Sequence, residues 1–163
     1  MPDFDSIDTL LRLVREAKDV DLIRIRAFVD REAHRRGVKL SVGEIGEKLA
    51  IEHFVSTSRL PNLVMAPTGT KNVDALSRDG DRYSIKTIQR AKKTGTVYPD
   101  GSNPDKQLFE FMLVVVLNDQ LQLTRIYQFT WLQFLEIRAW DRRMNAWYVP
   151  CSKKAFARST RVV

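Results

Sequence analysis

Apolar residues recur at helical spacing through the first third of the chain. Ile7, Leu10, Leu11 and Val14 fall on one side of a helix over 6–17. Leu22, Ile23, Ile25, Phe28, Val29 and Ala33 predict a second helix over 21–36, closed by Gly37. Its other side carries Arg24, Arg31, Arg35 and Arg36, a pattern shared by solvated faces and phosphate-contacting ones. A third helix opens at Ser41, where serine followed three residues later by Glu44 fits a capping box, and it runs to about Val55. Val42, Ile45, Leu49 and Ala50 form its apolar stripe, and Gly46 permits close approach of a neighbour.

Beyond Pro61 the pattern shortens. Leu63-Val64-Met65-Ala66 reads as a strand, and residues 73–87 as two short strands joined by a tight turn. Residues 111–117 are continuously apolar, as in a buried central strand, and 121–129 form its partner after Asn118-Asp119. Thr130 is placed to cap a helix holding Trp131, Leu132, Phe134, Leu135 and Ile137. Trp147-Tyr148-Val149 is expected as an edge strand, followed by a basic tail with Lys153, Lys154, Arg158 and Arg161. Between the strands, Arg90 to Pro104 is polar and turn-rich, and is expected to be a mobile functional loop. The expected architecture is α+β, a central mixed sheet of about five strands flanked by helices. It is read as one domain, 1–163: a helical extension over 1–38, a core over 41–138, and an edge strand with a basic tail over 139–163.

The turn at 78–80 decides which side chains meet. A two-residue Asp79-Gly80 turn would pair Asp74 with Ile85 and set Asp74 and Lys86 on opposite faces. A three-residue Arg78-Asp79-Gly80 loop with Gly80 left-handed pairs Asp74 with Ser84. Only the second stacks Val73 on Ile85 and Ala75 on Tyr83 in one apolar face, because a slip of one residue moves every side chain to the other side. The expected register therefore gathers Asp74, Ser84 and Lys86.

Composition narrows the functional classes. The chain has 163 residues, 44% hydrophobic and 29% charged, as in a globular protein. No apolar run approaches the roughly 20 residues that span a bilayer, and the acidic start, Met1 to Asp5, lacks a signal-peptide layout. One cysteine, Cys151, excludes a disulfide framework and makes a reducing cytoplasm the expected location. Lys and Arg outnumber Asp and Glu by 27 to 20, which suits a polyanionic partner such as DNA. Lys71, Arg90, Lys92 and Lys93 flank the hairpin and are the expected phosphate contacts.

An aspartate on one strand facing a serine and a lysine two residues apart on the next suits phosphodiester cleavage. Mg²⁺ prefers carboxylate oxygens, stabilises charge on the phosphate and acidifies its bound water. A neighbouring lysine orients or deprotonates that water. These residues resemble the PD-(D/E)XK nuclease superfamily, the restriction-endonuclease-like fold. The helix segment Gly43-Glu44-Ile45-Gly46-Glu47, then Asp74, then Ser84-Ile85-Lys86-Thr87 stand in the order of that family's helix glutamate, metal-binding aspartate and half-motif lysine. The resemblance covers about Ser41 to Phe129 and implies Mg²⁺-dependent cleavage of DNA in restriction, repair or recombination. Val73 stands where the family has proline, and Ser84 where it has a second acid. Glu47 is the best substitute for that acid. The implied site has Asp74, Glu47 and the Ile85 carbonyl on one Mg²⁺ (Mn²⁺ as substitute), with Lys86 serving the attacking water.

The alternative is a catalytically inactive nucleic-acid-binding or protein-interaction module on the same fold. A helix-turn-helix is disfavoured because no recognition helix follows Ala50 before Pro61. His34 and His53 lack the paired ligands of a zinc site. The two N-terminal helices lie outside the resemblance; dimerisation, cover for the sheet and nucleic-acid contact are all open to them.

Overall fold

The structure is a computed structural model describing residues 4–163, with side chains from residue 7. It divides into two compact units, Met1–Leu40 and Ser41–Val163. The first holds two helices, α1 (Phe4–Glu16) and α2 (Asp19–Arg35). Gly37, at φ 65°, ends the second, since glycine tolerates the left-handed backbone that stops a helix.

The second unit is an α+β body. It opens with α3 (Val42–Ser56), whose N-cap Ser41 accepts from the Glu44 N–H at 3.3 Å and donates to the Glu44 carboxylate at 2.6 Å. Six strands form a mixed sheet: β1 (Leu63–Met65), β2 (Ala75–Ser77), β3 (Arg82–Ile88), β4 (Phe111–Leu117), β5 (Leu123–Thr130) and β8 (Thr160–Arg161), adjacent in that order. Only β3 and β4 run parallel. Their connection, residues 89–110, contains no helix and crosses one face of the sheet as an irregular strap. After β5 come α4 (Trp131–Ile137) with a Thr130–Gln133 capping box, a two-stranded ribbon of β6 (Ala139–Asp141) and β7 (Ala146–Tyr148), and the single turn α5 (Lys153–Phe156).

Two apolar layers hold the sheet. On one face Ala50 and Phe54 of α3 pack on Tyr83, Ile85, Leu113 and Val115. On the other, Val97 and Phe109 of the strap join Phe134 of α4 and Val149 over Met112, Val114 and Phe129. β4 is central, so both its faces are covered and Met112 to Val115 are fully buried. Gly46 brings α3 onto β3 so closely that a Cβ there would lie 2.0 Å from Thr87 Oγ1.

Three expectations need correction. Trp147 to Val149 does not form an edge of the main sheet. β7 pairs with β6 on one side, and Trp147 exchanges backbone bonds with Val97 at 2.7 and 2.9 Å on the other. The basic tail is not a tail: Ala155 is buried, and β8 pairs with β5 to close the sheet edge. The strap is not loosely held. Thr94 is buried, its N–H and hydroxyl bond Val149 at 3.0 Å each, and Asp100 gathers Ser102, Asn103 and Lys106 into a turn. Such tertiary anchoring of turn-rich sequence carries no periodic signal.

Candidate functional site

The hairpin takes the three-residue register. Ala75 pairs with Tyr83 and Leu76 with Arg82, with Gly80 at φ 88° in the loop. Val73, Ala75, Tyr83 and Ile85 are all buried, whereas the side chains of Ser84 and Lys86 leave the opposite face, beneath the strap.

The β2–β3 ladder ends at Asp74, whose N–H donates to the Tyr83 carbonyl at 2.8 Å. One residue on, the aspartate side chain replaces the missing backbone partner. Its Oδ2 accepts the Ile85 N–H at 2.6 Å. The same oxygen lies 3.4 Å from Ser84 Oγ, which donates to it, and 3.8 Å from Lys86 Nζ. In an antiparallel ladder the N–H and C=O of one residue leave the strand on the same side. The Ile85 carbonyl therefore points into the same gap as the Asp74 carboxylate. Ser84 is fully buried; the Asp74 and Lys86 side chains are 23% and 18% exposed, open enough to meet a ligand.

Asp74 and Lys86 open into a cleft of about 910 Å³ that Lys71, Asn72, Tyr98 and Lys106 also line; Ser84 lies beneath it. Asn72 adopts φ 58° and donates to the Tyr98 carbonyl at 3.0 Å, tying the strap to the loop before β2. Lys106 pairs with Asp100 at 3.1 Å, and hydrogen bonds from Ser102 are the main cause holding the Asp100 carboxyl well below its usual range. Arg82 also lines the cleft, but its guanidinium forks onto Glu110 at 2.7 and 3.0 Å. That bond lowers the Glu110 pKa and raises that of Arg82.

The Arg82–Glu110 pair gives a testable pH dependence. A carboxylate with a depressed folded-state pKa stabilises the fold above its unfolded value of about 4.3. That contribution disappears as pH falls through the lower folded value. Glu110→Gln should therefore give a shallower loss of stability below about pH 4, measured as urea midpoints from pH 7 to pH 3.

The basic residues expected to contact phosphate are mostly elsewhere. Lys71 is exposed at the cleft. Arg90 is bonded to Asp119 in the turn after β4. Lys93 pairs with Asp141 of β6 at 2.6 Å and lies 4.9 Å over the Tyr148 ring. Lys92 is exposed, and its carbonyl accepts the Cys151 N–H at 2.8 Å. None of these three lines the cleft. Their places at the cleft are taken by Lys106 and Arg82, which sequence spacing did not single out. Glu47 is half-buried on α3, in the layer over the Tyr83 and Ile85 face, opposite Ser84 and Lys86. Among the described residues no three acidic, histidine or cysteine side chains gather as a metal-binding group.

No protein-family model matches the chain, and no curated protein matches it. Among the described residues, no helix is long and apolar enough to cross a membrane.

Proposed function

We propose that the cleft of Asp74, Ser84 and Lys86 is a metal-dependent phosphodiester-cleaving site acting on DNA, carried by a restriction-endonuclease-like core. The observation behind this reading is convergence. One carboxylate and one ammonium meet at a cleft that Lys71 and Lys106 also line.

The donor set suits a weakly held Mg²⁺. That ion keeps several waters and needs one or two carboxylates together with substrate phosphate oxygens. Asp74 and the Ile85 carbonyl would hold it, and Mn²⁺ would substitute. When bound, the ion stabilises charge on the phosphate and acidifies its water. The protein's own groups supply the rest. The Ile85 N–H fixes the Asp74 rotamer, so the carboxylate is presented without an entropic cost at binding. Lys86 orients the attacking water and offsets charge on the phosphate. The attacking water gives up a proton to solvent as its oxygen bonds phosphorus, the bond to the leaving oxygen breaks, and that oxygen takes a proton from solvent. The test is nicking of supercoiled and branched DNA in Mg²⁺ or Mn²⁺. Wild type should cut and Asp74→Asn should not; equal behaviour of the two proteins would remove the assignment.

A second reading, a DNA-binding module without catalysis, is favoured by Ser84. It stands fully buried where a second acid would bind metal. Both readings require cleft cations to meet phosphates. Replacing Lys71 by alanine should lower the slope of log affinity against log salt by about 0.9; replacing Lys106, already paired with Asp100, should lower it less. Lys93→Ala, already paired with Asp141 outside the cleft, should leave the slope unchanged. Fluorescence anisotropy across a salt series measures all three.

A further inference from the structure

We propose that Tyr98 is the stacking platform for an unpaired base beside the scissile phosphate, so that the cleft takes single-stranded DNA in preference to a closed duplex. This rests on the phosphodiester-cleaving reading of the cleft and adds the form of its substrate. Thr96 and Tyr98 flank Val97, which is fully buried and bonded to Trp147 through both its N–H and its carbonyl. Successive side chains of an extended segment point to opposite sides. With Val97 turned into the core, Thr96 and Tyr98 turn the other way, and both line the cleft. Tyr98 is 48% exposed, and among the described residues no ring packs on it and no group bonds its hydroxyl. The ring is left for a ligand.

Its backbone is held on both sides. Val97 is fixed by Trp147, and the Tyr98 carbonyl accepts from Asn72 Nδ2 at 3.0 Å. A base that stacks on a ring already held in place costs less in ordering. Chain connectivity sets the ring close to the reacting groups. Asn72 is two residues from Asp74. Lys86 Cδ lies 3.8 Å from where a Cβ on Gly95, three residues before Tyr98, would stand. Two and three residues span at most about 7 and 11 Å, a few nucleotide steps of about 3.4 Å.

The walls of the cleft favour one strand. The Asp74 and Lys86 side chains are only 23% and 18% exposed, and the Asn72–Tyr98 bond ties the loop before β2 to the strap beside them. A single strand can bring a phosphate to them while splaying a base onto Tyr98. In a closed duplex the bases stack on each other and offer the ring no face. Charge divides the cleft in the same way. Lys71 is exposed for phosphate, whereas Lys106 at the strap is engaged by Asp100, leaving the ring as the free feature there. Cations on the backbone and aromatic rings under the bases are the general means of holding single strands.

The experiment uses the full chain without divalent metal. Fluorescence anisotropy compares a single-stranded oligonucleotide with the blunt duplex of the same sequence. Wild type should bind the single strand more tightly. Tyr98→Ala should weaken single-strand binding by about 5–150-fold, the usual value of one base–aromatic stack, and leave duplex affinity nearly unchanged. Tyr98→Phe should bind as wild type, because the ring is kept. A wild type that prefers the blunt duplex, or a Tyr98→Ala loss equal on both DNAs, would overturn the proposal. Nicking assays in Mg²⁺ keep the two readings apart. Tyr98-dependent single-strand binding without cleavage would remove catalysis and support the stacking site. Cleavage of duplex DNA indifferent to Tyr98→Ala would remove the stacking site alone.

Discussion

Lys86→Ala is expected to slow DNA cleavage by about 10²–10³-fold, the usual cost of removing one group that stabilises charge in the transition state. Fold and DNA affinity should stay nearly unchanged. The ammonium is 3.8 Å from Asp74 Oδ2, at the long limit of an ion pair, and the side chain is partly open to the cleft. When the ammonium is removed, the Ile85 N–H and the Ser84 hydroxyl still hydrogen-bond the Asp74 carboxylate. The lysine stem runs past Gly95, where an added Cβ would sit 3.8 Å from Cδ, and urea midpoints measure the packing that the variant loses. Single-turnover rates at saturating DNA separate the effects. A rate loss with unchanged affinity identifies a group acting in the transition state. If affinity falls as much as rate, Lys86 is only a phosphate contact.

The second large effect lies outside the cleft. Gly46→Ala should destabilise the core by about 1–3 kcal/mol or more, the range for overpacking a tight contact. In an exposed helix the same change would be favourable by roughly 0.5–1 kcal/mol. Here the sign reverses, because the new methyl would meet Thr87 Oγ1, Cγ2 and Cβ at 2.0, 2.4 and 2.7 Å. Thr87→Ala should rescue only in part, since the Cβ clash persists. Gly43→Ala on the same helix is the control: nothing lies within 4 Å of its Cβ position, so it should be neutral or stabilising. Urea midpoints decide the comparison. Thr87 follows Lys86 on β3, so displacing α3 should also slow cleavage although no cleft residue changes.

Local chemistry explains what was legible in the sequence. The Ser41 and Thr130 caps, the limits of β4 and the Asp74–Ser84 register all rest on neighbours within about a dozen residues. Alternating burial then selects one solution. What depended on long-range contact was not legible. The strap over 89–110 owes its course to Thr94 meeting Val149 and Val97 meeting Trp147, some fifty residues away. Its Asp100-Gly101-Ser102-Asn103 segment signals a turn, but not that the turn would bring Lys106 to the cleft. The same distance effect removed Lys93, whose partner Asp141 appears only when β6 folds beside the strap. Glu47 was placed by its helical wheel. A wheel gives direction around a helix but not the face of the sheet on which the helix lies.

The proposal that Asp74 presents a metal to DNA is tested most directly by Mn²⁺ binding, followed by electron paramagnetic resonance of the free ion. Wild type should bind one Mn²⁺ per chain, weakly alone and more tightly with uncleaved DNA, because phosphate oxygens complete the ligand set. Asp74→Asn should abolish that binding while keeping the fold. Equal titrations of wild type and Asp74→Asn, with and without DNA, would contradict the account and leave the cleft a DNA-binding surface without catalysis.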